Sequence, residues 1–108
     1  IVGLPGETLI DFKKTAQVVH DLHLAAVKIH PLHIVAGTVM AQDFSAGEIN
    51  LLDFDEYCAA VAEMIKIIGP ETAIERFSGE SPSEMLLAPN WCGERDRIIA
   101  EVEKLLAG

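Results

Sequence analysis

Two glycines open the chain in a pattern that invites ligand chemistry. In Ile1-Val2-Gly3-Leu4-Pro5-Gly6-Glu7-Thr8, Gly3 and Gly6 stand where the backbone turns tightly or approaches a ligand, directly before a helix start. A plain turn between a strand and a helix fits the same residues. A P-loop needs four residues between its glycines and then Lys-Ser or Lys-Thr, whereas here the spacing is shorter and Glu7 takes the place of the lysine. The Gly-x-x-Gly clamp of a KH domain wants basic neighbours, and Glu7 argues against that too.

Two further segments carry polar groups at the ends of expected strands. His30, Pro31, Leu32 and His33 end one of them; Glu75, Arg76 and Glu80 surround the end of another. His30 and His33, three apart along a strand, are expected to point to opposite faces, unlike helical His pairs four apart, so they do not read as a metal pair. Glu75, Arg76 and Glu80 fit either a substrate-contacting acid/base group or an ion pair across the strand ends. Cys58, inside an apolar helical run, and Cys92, beside Trp91, lie far apart and read as core thiols of a reducing, cytoplasmic compartment.

Composition bounds what the partners can be. Half of the 108 residues are apolar, enough for one modest core, and 17 acidic against 8 basic residues give a net charge of −9. That charge disfavours nucleic-acid binding by this segment alone. No apolar run approaches the roughly 20 residues that span a bilayer.

The elements that must position these groups follow from periodicity and capping. Ile1-Val2 reads as the last part of a buried strand, which implies sequence upstream. Thr8 with Asp11 starts a helix carried by Phe12, Ala16 and Val19 to about His23. Ala26 to Leu32 alternates as a strand that stops near Pro31. Ile34 to Leu52 is a long connection with one helical turn around Thr38 to Gln42, and so long a connection is usually functional or a lid. Asp53 and Glu56 cap a second helix with a stripe of Tyr57, Val61, Met64 and Ile68, ended by Gly69-Pro70. Thr72 to Phe77 reads as a third strand, Ser81-Pro82 with Glu84 as the start of a short helix through Leu87, and Glu94 to Leu106 as a last helix. The order predicts a parallel sheet with helical crossovers, whose ligands sit beyond the C-terminal strand ends. Exposed sheet edges make self-association of the chain an expectation as well.

Taken together, Ile1 to Thr8 and the strand end Lys28-Ile29-His30-Pro31-Leu32-His33 resemble the radical S-adenosylmethionine (radical SAM) enzymes, in the branch holding coproporphyrinogen dehydrogenase-like and Elongator-like proteins. The resemblance continues through Gly37-Thr38, Glu75 to Glu80 and Leu87 to Trp91. It implies an α/β fold in which residues 1–108 form the C-terminal half of a partial (βα)6 TIM-like barrel. The parent protein would then be an iron-sulfur oxidoreductase using a 4Fe-4S cluster and S-adenosylmethionine to generate a 5′-deoxyadenosyl radical that abstracts substrate hydrogen, with RNA modification a candidate and a porphyrin-like or small-molecule substrate open. By the same resemblance Gly3, Leu4, Pro5 and Gly6, with His30, Pro31 and Leu32, line the adenosine pocket. Glu7 stands one position later than in the shortest form of the family motif, so capping or an ion pair is its expected use. The Cys-x-x-x-Cys-x-x-Cys cluster loop is not within these residues, so the segment itself is expected to contribute no catalytic or metal-binding residue, to bind neither cofactor tightly and to be inactive. The alternative from another class is a non-catalytic α/β module that binds a nucleotide or a protein through the Gly3 to Thr8 helix start.

Overall fold

A computed structural model describes residues 1–78 and 84–108. Its elements run α1 (Leu9–Asp21), β1 (Ala26–Lys28), β2 (Ile34–Val35), α2 (Val39–Ser45), α3 (Phe54–Ile68), β3 (Ala73–Arg76), β4 (Leu86–Ala88) and α4 (Arg95–Ala107). The fold is mixed α/β.

Three parallel segments lie side by side. Val2 donates its N–H to His30 O (2.9 Å) and accepts from Leu32 N (3.0 Å), a parallel bridge between Val2 and Pro31. On the other side β1 pairs in parallel with β3, Ala26 opposite Ala73 and Val27 opposite Ile74. The register then slips by one, so that Lys28 faces Arg76 and Glu75 is the extra residue of a bulge. Each successive segment thus adds next to the one before it, and α1 and α3 make the two crossovers between them.

Alternation decides which side chains go under the helices. Val2, Ile29 and, in part, Val27 and Ile74 join Phe12 and Ala16 of α1 and Tyr57, Val61, Met64 and Ile68 of α3 in the main core. Lys28 and Glu75 are exposed and His30 is half-buried; alternation puts Lys28 and His30 on the face turned away from the helices.

The helix ends form as their caps dictate. Asp53 Oδ1 accepts from Glu56 N (2.7 Å) while Glu56 Oε1 accepts from Asp53 N (3.1 Å), and Gly69 stops α3 at φ +87°. At α1, the Asp11 carboxylate accepts from Thr8 N (2.8 Å), and these Thr8 hydrogen bonds hold its pKa below the usual value. Tyr57, fully buried, donates its hydroxyl to Phe77 O and so ties α3 to the end of β3. Trp91 fits between Phe54 and Tyr57, and its segment leads directly into α4.

Two expectations are corrected. The short helix through Leu87 does not form over its described part: residues 84–85 turn and Leu86–Ala88 is strand β4, antiparallel to β2. Its cap, Ser81-Pro82, lies outside the described residues. The expected loop after Leu32 therefore contains an unforeseen strand, β2, so the sheet structure is not parallel throughout. With α2, whose N-cap Thr38 accepts from Ala41 N (3.1 Å), β2 and β4 enclose a second small core around Ile34, Ala41 and Ile49. Among the described residues no helix is long and apolar enough to cross a membrane.

Candidate functional site

The three segments singled out by sequence meet at one end of the parallel strands. The Val2–Pro31 bridge sets Gly3 beside Leu32: a Cβ on Gly3 would lie 3.9 Å from Leu32 Cβ and 3.5 Å from Leu52 Cγ. Gly3 is buried at φ +106°, a conformation side chains other than glycine's rarely adopt. From there the chain turns outward through exposed Leu4, Pro5 and Gly6, closed by a Glu7 N–H to Leu4 O bond of 3.1 Å. Gly6, at φ +84°, has open space where a side chain would begin. Pro31 and Leu32 are buried, His30 half-buried.

The third segment closes in from the other side. Ile29 donates to Arg76 O (2.8 Å), so the end of β3 adjoins the residue before His30. The bulge at Glu75 re-aims the side chains there, a distortion often found beside functional sites. Glu80, the remaining candidate of this group, lies outside the described residues.

His30 and His33 do not oppose each other as strand alternation requires. Their rings lie 6.2 Å apart, because β1 ends at Lys28 and the chain leaves extended pairing after Pro31. His33 adds a feature that spacing did not reveal: its Nδ1 is buried with no hydrogen-bond partner. A buried polar atom left unpaired costs about 1–3 kcal/mol, so its occurrence at a strand end marks a place where a ligand can supply the bond.

Other histidines serve the opposite end. His20 Nδ1 lies 3.0 Å from Ile68 O, at the last turn of α3, beside a cleft of about 290 Å³ lined also by His23, Gly69 and Thr72. That cleft precedes the starts of β1 and β3 and is remote in topology from the glycine turn.

The residues fit the two groups implied by the resemblance unequally. Gly3 and Leu32 are buried with Leu52 against them, and only the turn from Leu4 to Gly6 is open to a ligand such as an adenosine. A 4Fe-4S cluster is not suited: Cys58 is buried in α3, where burial first, then the Glu101 and Asp55 carboxylates, push its thiol up to about 11, and Cys92 is buried near Trp91. Three thiolates in one loop are what such a cluster requires.

Comparison with known proteins identifies the family. The chain is 37% identical to Protein YhcC of Escherichia coli K12 over 106 residues, which is 98% of this chain and 34% of that protein. It is 33% identical to the uncharacterized protein YtqA of Bacillus subtilis, covering 98% of the chain and 33% of that protein. The uncharacterized protein MJ0486 of Methanocaldococcus jannaschii is likewise 33% identical, with 98% of the chain and 33% of that protein covered. The chain thus spans about a third of the length of the curated relatives it matches. Residues 24–107 match the model of the radical SAM C-terminal domain, most of the chain but not the glycine turn itself. The chain belongs to the radical SAM C-terminal domain family.

Proposed function

We propose that this chain is the C-terminal part of a radical SAM iron-sulfur oxidoreductase and that its strand ends form one wall of the adenosine pocket. The observation that carries this reading is the parallel bridge from Val2 to Pro31, which joins the glycine turn to His30, Pro31 and Leu32 in a single surface. The sequential order of the three parallel segments supports the further reading that they belong to a partial barrel, whose remaining strands and cluster loop the parent supplies.

In the parent, a bound 4Fe-4S cluster and S-adenosylmethionine would supply radical hydrogen abstraction from substrate. The residues of this chain bind and orient. Gly3 and Gly6 allow the backbone to bend around the ligand, with Leu32 packed behind Gly3; His30 and His33 offer imidazole nitrogens at its edge. Glu75 and Arg76, turned by the bulge, contact substrate on the neighbouring strand. If that substrate is RNA, its basic contacts come from the rest of the parent, because this chain carries a charge of −9. The isolated chain leaves one side of the Val2 segment and of β3 without a strand neighbour among the described residues, which supports its self-association in that state.

Two outcomes test the reading. The parent sequence must carry Cys-x-x-x-Cys-x-x-Cys ahead of the segment that begins at Ile1; its absence would leave the alternative, a non-catalytic binding module. The 108-residue chain alone, with one wall and no cluster, is expected to bind S-adenosylmethionine weakly or not at all in calorimetry. Micromolar or tighter binding would show that the site is complete here and differently placed.

A further inference from the structure

A second depression lies outside the strand ends, between the first turn of α1 and the exposed flank of α3. It encloses about 410 Å³, within the range of about 300–1,000 Å³ typical of ligand clefts. Its floor is apolar, formed by Phe12, Leu52, Ala59 and Ala60, and its acidic members are Glu7, Glu56 and Glu63. No basic residue lines it. Glu56 Oε1 is engaged by the Asp53 N–H and Glu63 is met by Lys66 at 3.3 Å, but Glu7 Oε1 is shut off from solvent with no hydrogen-bond partner.

We infer that this groove docks a basic amphipathic helix of a partner protein. Glu56, Ala59, Ala60 and Glu63 follow one another at i, i+3, i+4 and i+7, so the groove runs along about two turns of α3, roughly 10 Å. Apolar anchors of a helix laid along it meet exposed Leu9 and Ala59 and half-buried Leu52, and the small side chain of Ala59 allows close approach, the geometry of helix-in-groove recognition. Lys or Arg beside those anchors meets half-buried Glu7 and Glu63, displacing the exposed Lys66 from the latter. At this groove the charge selects the partner: the same acidic face of a second copy is repelled, whereas a basic segment is attracted.

The test uses the ¹⁵N-labelled chain and two synthetic 18-residue helices, one of Leu and Lys, the other with Glu in place of Lys. The basic peptide is expected to shift amides of residues 7–12, 52 and 56–63, and the acidic one to shift none. Ala59→Trp fills the groove from an exposed position without disturbing the core and should weaken binding at least about tenfold, while Glu7→Gln with Glu63→Gln should weaken it several-fold. Shifts scattered over the acidic surface, unchanged affinity in Ala59→Trp, the same shifts from spermidine alone, or dimerisation of the chain through these residues would each overturn the proposal.

Discussion

Trp91→Ala is expected to destabilise the chain by about 3–5 kcal/mol, read as a large fall in the midpoint of the urea transition followed by circular dichroism. Trp91 is 7% exposed, its ring centroid 5.2 Å from Tyr57 and 6.0 Å from Phe54 in an edge contact, while Arg97 of α4 lies over the other aromatic, Phe54, at 3.8 Å. Trp91 therefore packs on both aromatics of α3, beside Ile98 and Val102 of α4 in the same core. Truncating a buried tryptophan costs about 3–5 kcal/mol, against a total of about 5–15 kcal/mol for a typical domain. Trp91→Phe keeps an aromatic in the slot and should lower the midpoint less. Equal stability of Trp91→Ala and the parent chain would mean that α4 is anchored by something else.

Ile34→Ala is expected to act locally instead. Ile34 is fully buried, yet it belongs to the small core with Ala41 and Ile49 and not to the main core beneath α1 and α3. Removing its side-chain atoms costs about 2–5 kcal/mol, and a unit with so small a core can lose that without taking the rest of the fold with it. In hydrogen exchange, the Ala36 amide, bonded to Met85 O at 2.8 Å, and the Ala41 amide should lose protection while Val61 and Met64 in α3 keep theirs. Loss of protection in α3 to the same extent would show that the two cores fold as one. The result bears on function, because the unit of β2, α2 and β4 follows directly on the strand end at His33, and separate opening would suit a cover for that end.

How far the sequence foretold this architecture depends on whether local or distant contacts decide each part. α3 was legible almost to the residue, since Asp53, Glu56, the apolar stripe and Gly69 all act within the helix itself. β4 was not: Ser81, Pro82 and Glu84 carry a local helix-start signal, but Leu86 to Ala88 gain more by pairing with β2, a partner some fifty residues earlier. The same holds for the site. Spacing marked the glycine turn, His30 to Leu32 and Glu75 with Arg76 as three separate segments, but only the strand order brings them to one end. The closeness of His30 and His33 and the unpaired His33 Nδ1 depend on where β1 stops, and the Glu75 bulge depends on its pairing with β1. None of these is a property of the local sequence.

The glycine turn is also where the account is most exposed. The direct measurement is 5′-deoxyadenosine formed by the anaerobically reconstituted full-length parent, compared with its Gly3→Val and Gly6→Val variants. Both glycines sit at positive φ, where a side chain costs about 1–3 kcal/mol in strain, and Gly6 has open space, so its variant can change the turn without crowding the fold. Deoxyadenosine is expected from the parent, with a fall of about tenfold or more in both variants and iron and sulfide content unchanged. A parent that holds its cluster but forms no deoxyadenosine, or variants that form as much as the parent, would contradict it.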